Sequence, residues 1–189
     1  EQLHSLWSSA LNARAIGESS GDENGAAALG RLAAAFLAKP NGPRIAMLET
    51  GGWDTHNAQT GRLATQLKSL DSLVGALRTS MGSHWSTTTV LIATEFGRTA
   101  AINGTGGTDH GTAAAAILIG GSVIGGRVIA DWPGLATAQL HEGRDLKPTC
   151  DLGALIAGAA AEAFKLDPAQ VARHLFPGSA HRPLVGIVG

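Results

Sequence analysis

The sequence predicts an α/β fold with parallel strand pairing, and three observations carry that prediction. Residues 87–94 (Thr87-Thr88-Thr89-Val90-Leu91-Ile92-Ala93-Thr94) are β-branched and apolar, as a buried strand requires. Ahead of them, Leu63, Leu67, Leu70, Val74, Leu77 and Met81 step by three or four residues along one helical face. Ahead of that helix, residues 44–49 form a short apolar run of strand length. Strand, helix and strand in succession between 44 and 94 make a βαβ unit, which pairs its strands in parallel.

The remaining elements follow in chain order. Residues 1–38 read as two helices, the first carrying Leu3, Leu6, Trp7, Ala10, Leu11 and Ala15, the second with Leu29, Leu32, Phe36 and Leu37 inward. Lys39-Pro40-Asn41-Gly42-Pro43 stops the second. Residues 113–119 predict a third strand and 127–130 a fourth, with the pairs Gly120-Gly121 and Gly125-Gly126 as turns between them. Thr149 is placed to cap a helix through Leu152, Leu155, Ile156, Ala159 and Phe164. Asp167-Pro168 has the form of a cap and first-turn proline for a short last helix ending at Pro177-Gly178. The organisation expected is a helical lead-in over 1–40 and an α/β core over 44–189, as a single domain or the C-terminal part of one. The chain begins at Glu1 without Met, which suggests a processed product or a fragment.

Composition narrows the function classes. Of 189 residues, 44% are hydrophobic and 15% charged, which suits a packed core and excludes an acidic disordered tail. Fourteen Lys+Arg against fifteen Asp+Glu give a net charge of −1, the wrong balance for nucleic-acid binding. No apolar run approaches the roughly 18 residues of a membrane span. The single cysteine, Cys150, excludes an internal disulfide and a thiolate cluster, and reads as a small hydrophobe. The Ala-rich leading helices, if left uncovered, would make a homodimer surface.

Chemistry-bearing side chains gather in three loops, each directly after a predicted strand, where ligands bind in open parallel sheets. In Gly51-Gly52-Trp53-Asp54-Thr55-His56, residues two apart point to one side with Cα atoms about 6–7 Å apart, so Asp54 and His56 can reach one metal ion. The competing reading has Asp54 capping the next helix. In Thr94-Glu95-Phe96-Gly97-Arg98-Thr99, a carboxylate at the end of a buried strand needs a cation, supplied either by a metal or by Arg98, whose fork also fits a substrate oxyanion. In Asn103-Gly104-Thr105-Gly106-Gly107-Thr108-Asp109-His110-Gly111, Asp109 and His110 sit on a bendable backbone, either as ligands or as a capping Asp beside a loop His. Two His and three carboxylates match the donor sets of zinc, manganese or iron in hydrolases. His4, His84, His141, His174 and His181 have no ligand-like neighbours in sequence, and the Gly120–Gly126 stretch lacks the Lys of a phosphate-binding loop.

These motifs together resemble the signature of a bacterial exported family, domain of unknown function 1501, of the alkaline phosphatase and sulfatase superfamily. The later glycine pairs and Phe176-Pro177-Gly178 fit as well, and the resemblance runs from about residue 44 to the C-terminus. It implies a doubly wound, mostly parallel sheet flanked by helices, with a divalent metal (zinc, manganese, iron or calcium) at the carboxyl ends of the strands. By that analogy Asp54 and His56 form the first ligand group, Glu95 takes the acidic place of the middle pair, and His110 is the last ligand. Phe96 stands where the superfamily usually has His, with Asp109 as a replacement ligand. The superfamily nucleophile lies ahead of these motifs, so none is assigned in this chain. Family members carry a comparably long N-terminal region and a twin-arginine export signal, which implies a periplasmic or exported location. The function expected is metal-dependent hydrolysis of a small phosphate or sulfate ester, with Arg98 binding the anion. The alternative is a non-catalytic exported module of the same fold that binds metal or glycan.

Overall fold

The computed structural model describes residues 23–189, so the predicted first helix and His4 lie outside the described residues. The chain divides into two compact units. The first is Glu1–His84 with Gly104–Gly107, described from Glu23 onward; the second is Trp85–Asn103 with Thr108–Gly189.

The first unit is a helix pair, α1 (Glu23–Leu37) and α2 (Gln59–Met81). The inner line of α1 is made of small residues: Ala26, Leu29, Gly30, Ala33 and Ala34 are buried, whereas the predicted Leu32, Phe36 and Leu37 are half-buried. The reason is close approach. A Cβ at Gly30 would collide with the backbone carbonyl of Leu73, so the two helices meet through backbone and short side chains. On α2 the buried file is Ser69, Leu73, Leu77 and Met81, a strict i, i+4 row. The predicted stripe is therefore rotated: Leu77 and Met81 hold, Leu73 replaces its neighbours, and Leu67 is 49% exposed. The stop after α1 forms as the sequence indicates, with Gly42 N–H donating to Lys39 O.

Residues 44–49 do not form the predicted strand. The segment has no ladder partner, and Ile45 is 71% and Met47 97% exposed. Strand character in an apolar run needs a neighbouring edge to pair with, and none of the described ladders offers one here.

In the second unit, β1 (Val90–Ile92) pairs antiparallel with β4 (Ile117–Ile119), and β2 (Gly97–Arg98) pairs antiparallel with β3 (His110–Gly111). The strand predicted over 87–94 thus appears, shortened, and that over 113–119 shrinks to three residues. Residues 127–130 form no strand, and Val128 is 92% exposed. Both ladders among the described residues are two-stranded and antiparallel, and the parallel pairing expected from the sequence is not among them.

Helices α3 (Leu152–Phe164) and α4 (Pro168–Leu175) close the chain. Asp151, not the expected Thr149, caps α3: its carboxylate accepts from Ala154 N–H at 2.7 Å. Asp167 caps α4 as predicted, accepting from Gln170 N–H at 2.7 Å with Pro168 in the first turn. Ala159, Ile187 and Val188 form a core with Leu118, Leu155 and Leu184 packed on it. The tail reaches that core because Glu162 on α3 accepts from three successive backbone N–H groups, those of Gly186, Ile187 and Val188. Among the described residues, no helix is long and apolar enough to cross a membrane.

Partial burial pushes the Glu162 carboxyl up, but the three backbone donors and Arg127 outweigh it and hold it below the ordinary value. A carboxyl depressed in the folded state adds stability above its unfolded value, about 4.3, and loses it as pH falls through the folded value. Glu162→Gln should therefore melt lower at pH 7 by the equivalent of about 1–2 kcal/mol. The gap to the wild type should narrow below about pH 4, as read by circular dichroism melts across pH.

Candidate metal centre

The first unit carries two of the five predicted ligands. Asp54 and His56 lie just ahead of α2, Asp54 Oδ1 standing 3.0 Å from His56 Nε2, with both side chains half exposed. Thr55 between them turns inward and is 2% exposed; its hydroxyl donates to Gln59 Oε1 at 3.0 Å. This alternation is what the two-residue spacing predicts. Asp54 does not cap α2: the cap position is Ala58, which sits in the left-handed region at φ 45° and offers no side-chain acceptor.

The leading N–H groups of α2 are satisfied by another loop. Ala58 N–H donates to Thr105 O at 3.1 Å and Gln59 N–H to Gly106 O at 2.9 Å. The Thr105 hydroxyl donates to His56 O at 2.6 Å, so the glycine-rich loop grips the backbone of His56 itself. Gly107 lies flat against that backbone, where any Cβ would collide with the His56 carbonyl group.

The second unit places Arg98 and His110 directly opposite one another in the β2–β3 register. Phe96, just before β2, stacks its ring on the His110 imidazole with centroids 4.6 Å apart and planes 6° from parallel. The Arg98 guanidinium lies 4.7 Å from the Phe96 centroid and donates from Nη1 to Thr108 O at 2.8 Å. Asp109 is held through its backbone to Thr99 and through Oδ1, which accepts from Asn103 Nδ2 at 2.9 Å. Glu95 is exposed. The desolvation expected to demand a cation there does not arise, because the strand ends three residues earlier, at Ile92.

Sequence reasoning missed Asp145. Its side chain is 7% exposed, accepts from the Thr112 hydroxyl at 2.8 Å, and stands 2.7 Å from Arg144 Nε. The Arg144 and Thr112 bonds hold its carboxyl below the usual range against the opposing effect of burial. The same bond raises Arg144. The backbone of 144–146 also flanks β2, with Ala100 N–H donating to Arg144 O and Leu146 N–H to Arg98 O. The turn Glu142-Gly143, both at positive φ, was the available signal, but no strand pattern follows it.

Two other expectations are corrected. His181 has a ligand-like neighbour after all, its Nδ1 lying 2.7 Å from Asp151 Oδ1 with the Phe176 ring edge-on. Cys150 is exposed and not a packed hydrophobe, because it precedes the Asp151 cap and stays off the buried face of α3.

The Gly107 contact makes a direct prediction. Gly107→Ala should lower the melting temperature by several degrees, a loss of about 1–3 kcal/mol from overpacking against backbone. Gly104→Ala, in the same loop with open space at its Cβ, should leave the melting temperature within about a degree.

A family model described as a protein of unknown function (DUF1501) matches residues 8–176. No curated protein and no solved structure matches the chain. With most of its length matched, the chain belongs to the DUF1501 family.

Proposed function

We propose that this chain is part of a metal-dependent hydrolase of the alkaline phosphatase and sulfatase superfamily, acting on a phosphate or sulfate ester in an exported, bacterial setting. Asp54, His56, Glu95, Asp109 and His110 are the ligand pool for a divalent ion, and a doubly wound, mostly parallel sheet is the fold proposed to carry them. The observation that carries the reading is the Asp54–His56 pair. Two donors bound to one ion at about 2.1 Å lie about 3.0 Å from each other at octahedral angles and about 3.4 Å at tetrahedral ones, and Asp54 Oδ1 and His56 Nε2 are 3.0 Å apart. The pair is half exposed, so an ion has access to it.

Support also comes from the glycine-rich loop. Gly104–Gly107 belongs to the first unit and grips His56, and only Thr108 and Asp109 stand in sequence between Gly107 and His110. A bound ion would supply Lewis-acid polarisation of the ester oxygen. The chain's own residues then have separate tasks. The carboxylate of Asp54 and the imidazoles of His56 and His110 would hold the ion. Arg98, anchored at Thr108 O, presents a fixed cation that binds and orients the anionic ester. Asn103 restrains the Asp109 carboxylate. No group of this chain is assigned as nucleophile.

Purified chain should hold zinc, manganese, iron or calcium in stoichiometric amount, lose it to EDTA, and melt lower without it. His56→Ala and His110→Ala should each weaken retention at least about 10-fold. Undiminished metal content in both variants would remove the ligand assignment. Turnover of aryl phosphate or sulfate esters by the metal-loaded protein supports hydrolysis, whereas metal binding without turnover by the full-length protein supports the non-catalytic metal- or glycan-binding module.

A further inference from the structure

We propose that Phe96 is a positioning residue for His110: its ring fixes the plane of the imidazole and sets the Arg98 guanidinium beside it. The inference rests on the metal reading of His110 and adds to it a residue that touches neither ion nor substrate. His110 is exposed and stands on a strand of only two residues. Its imidazole can serve a fixed ion only in a narrow range of ring orientations, and a ring stacked on its face restrains that orientation. A centroid separation of 4.6 Å with planes 6° from parallel is an offset-stacked pair.

Stacking suits a metal ligand because imidazole donates in the plane of its ring. A neighbour on the ring face restrains the plane and leaves both nitrogens open at the edge. The same Phe96 ring lies 4.7 Å from the Arg98 guanidinium, which is anchored at its other side by Thr108 O. Arg98 and His110 are register partners, so one aromatic ring sets the anion-binding group and the imidazole together. Glycine on both strands at the adjacent register pair, Gly97 opposite Gly111, leaves no side chain there to do the same work.

The test uses the full chain and zinc alone as the probe. In the metal-free protein, the His110 ring protons, assigned by their loss in His110→Ala, should be shifted upfield by the Phe96 ring current. Phe96→Leu should abolish that shift and weaken zinc binding about 3- to 10-fold by calorimetry, the range that one stacked pair is worth. Phe96→Tyr, which keeps the stack, should retain both the shift and the affinity, and it guards against a misfolded leucine variant. Wild-type zinc binding with Phe96→Leu within two-fold of it would overturn the positioning role alone. An unshifted His110 in the wild type would overturn the stack. Absence of zinc binding by the wild type would overturn the metal reading, and the positioning role with it.

Discussion

A helix whose first turn has no side-chain cap must find acceptors for its leading N–H groups elsewhere, and α2 finds them in the backbone of Thr105 and Gly106. Most of the geometry at the candidate centre follows from that constraint. The carbonyls can reach Ala58 and Gln59 only if the chain at Gly107 presses against His56 without a side chain in the way. Once there, the Thr105 hydroxyl closes on the His56 carbonyl and fixes the backbone from which the imidazole projects. Ala58 adopts a left-handed conformation to make the turn, a modest strain stabilised by the hydrogen bonds on either side. The glycine content of residues 104–107 is thus explained by docking. A motif that looks in sequence like a flexible ligand loop serves first as the missing cap of a helix.

The second unit solves a different problem with similar means. Its ladders are too short to be stable on their own, since a two-residue pair contributes little. The β2–β3 pair is reinforced along its other edge by 144–146 and by the buried Asp145, which ties the Thr112 hydroxyl beyond β3 to a segment that also bonds β2. A buried carboxylate is tolerable there because Arg144 and Thr112 supply its partners. Rigidity around Arg98 and His110 therefore comes from side-chain anchors and aromatic stacking, with sheet pairing as the minor contributor.

How far the sequence revealed this architecture depended on the range of the interactions involved. Local signals served well: the Asp167-Pro168 cap, the stop at Lys39-Pro40, the two-residue alternation that sets Asp54 beside His56, and the long α2 helix. The α2 stripe was misread by part of a turn, because the small residues of α1 decide which line of α2 is covered, and Gly30 against Leu73 is not visible in one helix alone. Residues 44–49 and 127–130 have strand composition but no ladder, since pairing depends on a neighbour that composition does not specify. Asp145 escaped notice for the same reason: its partners at 99 and 112 are more than thirty residues away. Phe96 was read as a ligand lost, whereas its ring lies on the ring of the neighbouring histidine.

The central proposal, that the Asp54–His56 pair binds a divalent ion, is tested most directly by X-ray absorption at the metal edge of the zinc-loaded protein. The account predicts a shell of nitrogen and oxygen donors at about 2.0–2.1 Å, with outer-shell imidazole scattering and no sulfur contribution. A shell containing sulfur at about 2.3 Å would place the ion at Cys150, and a shell without imidazole scattering would leave both histidines out of it. Either result would contradict the account.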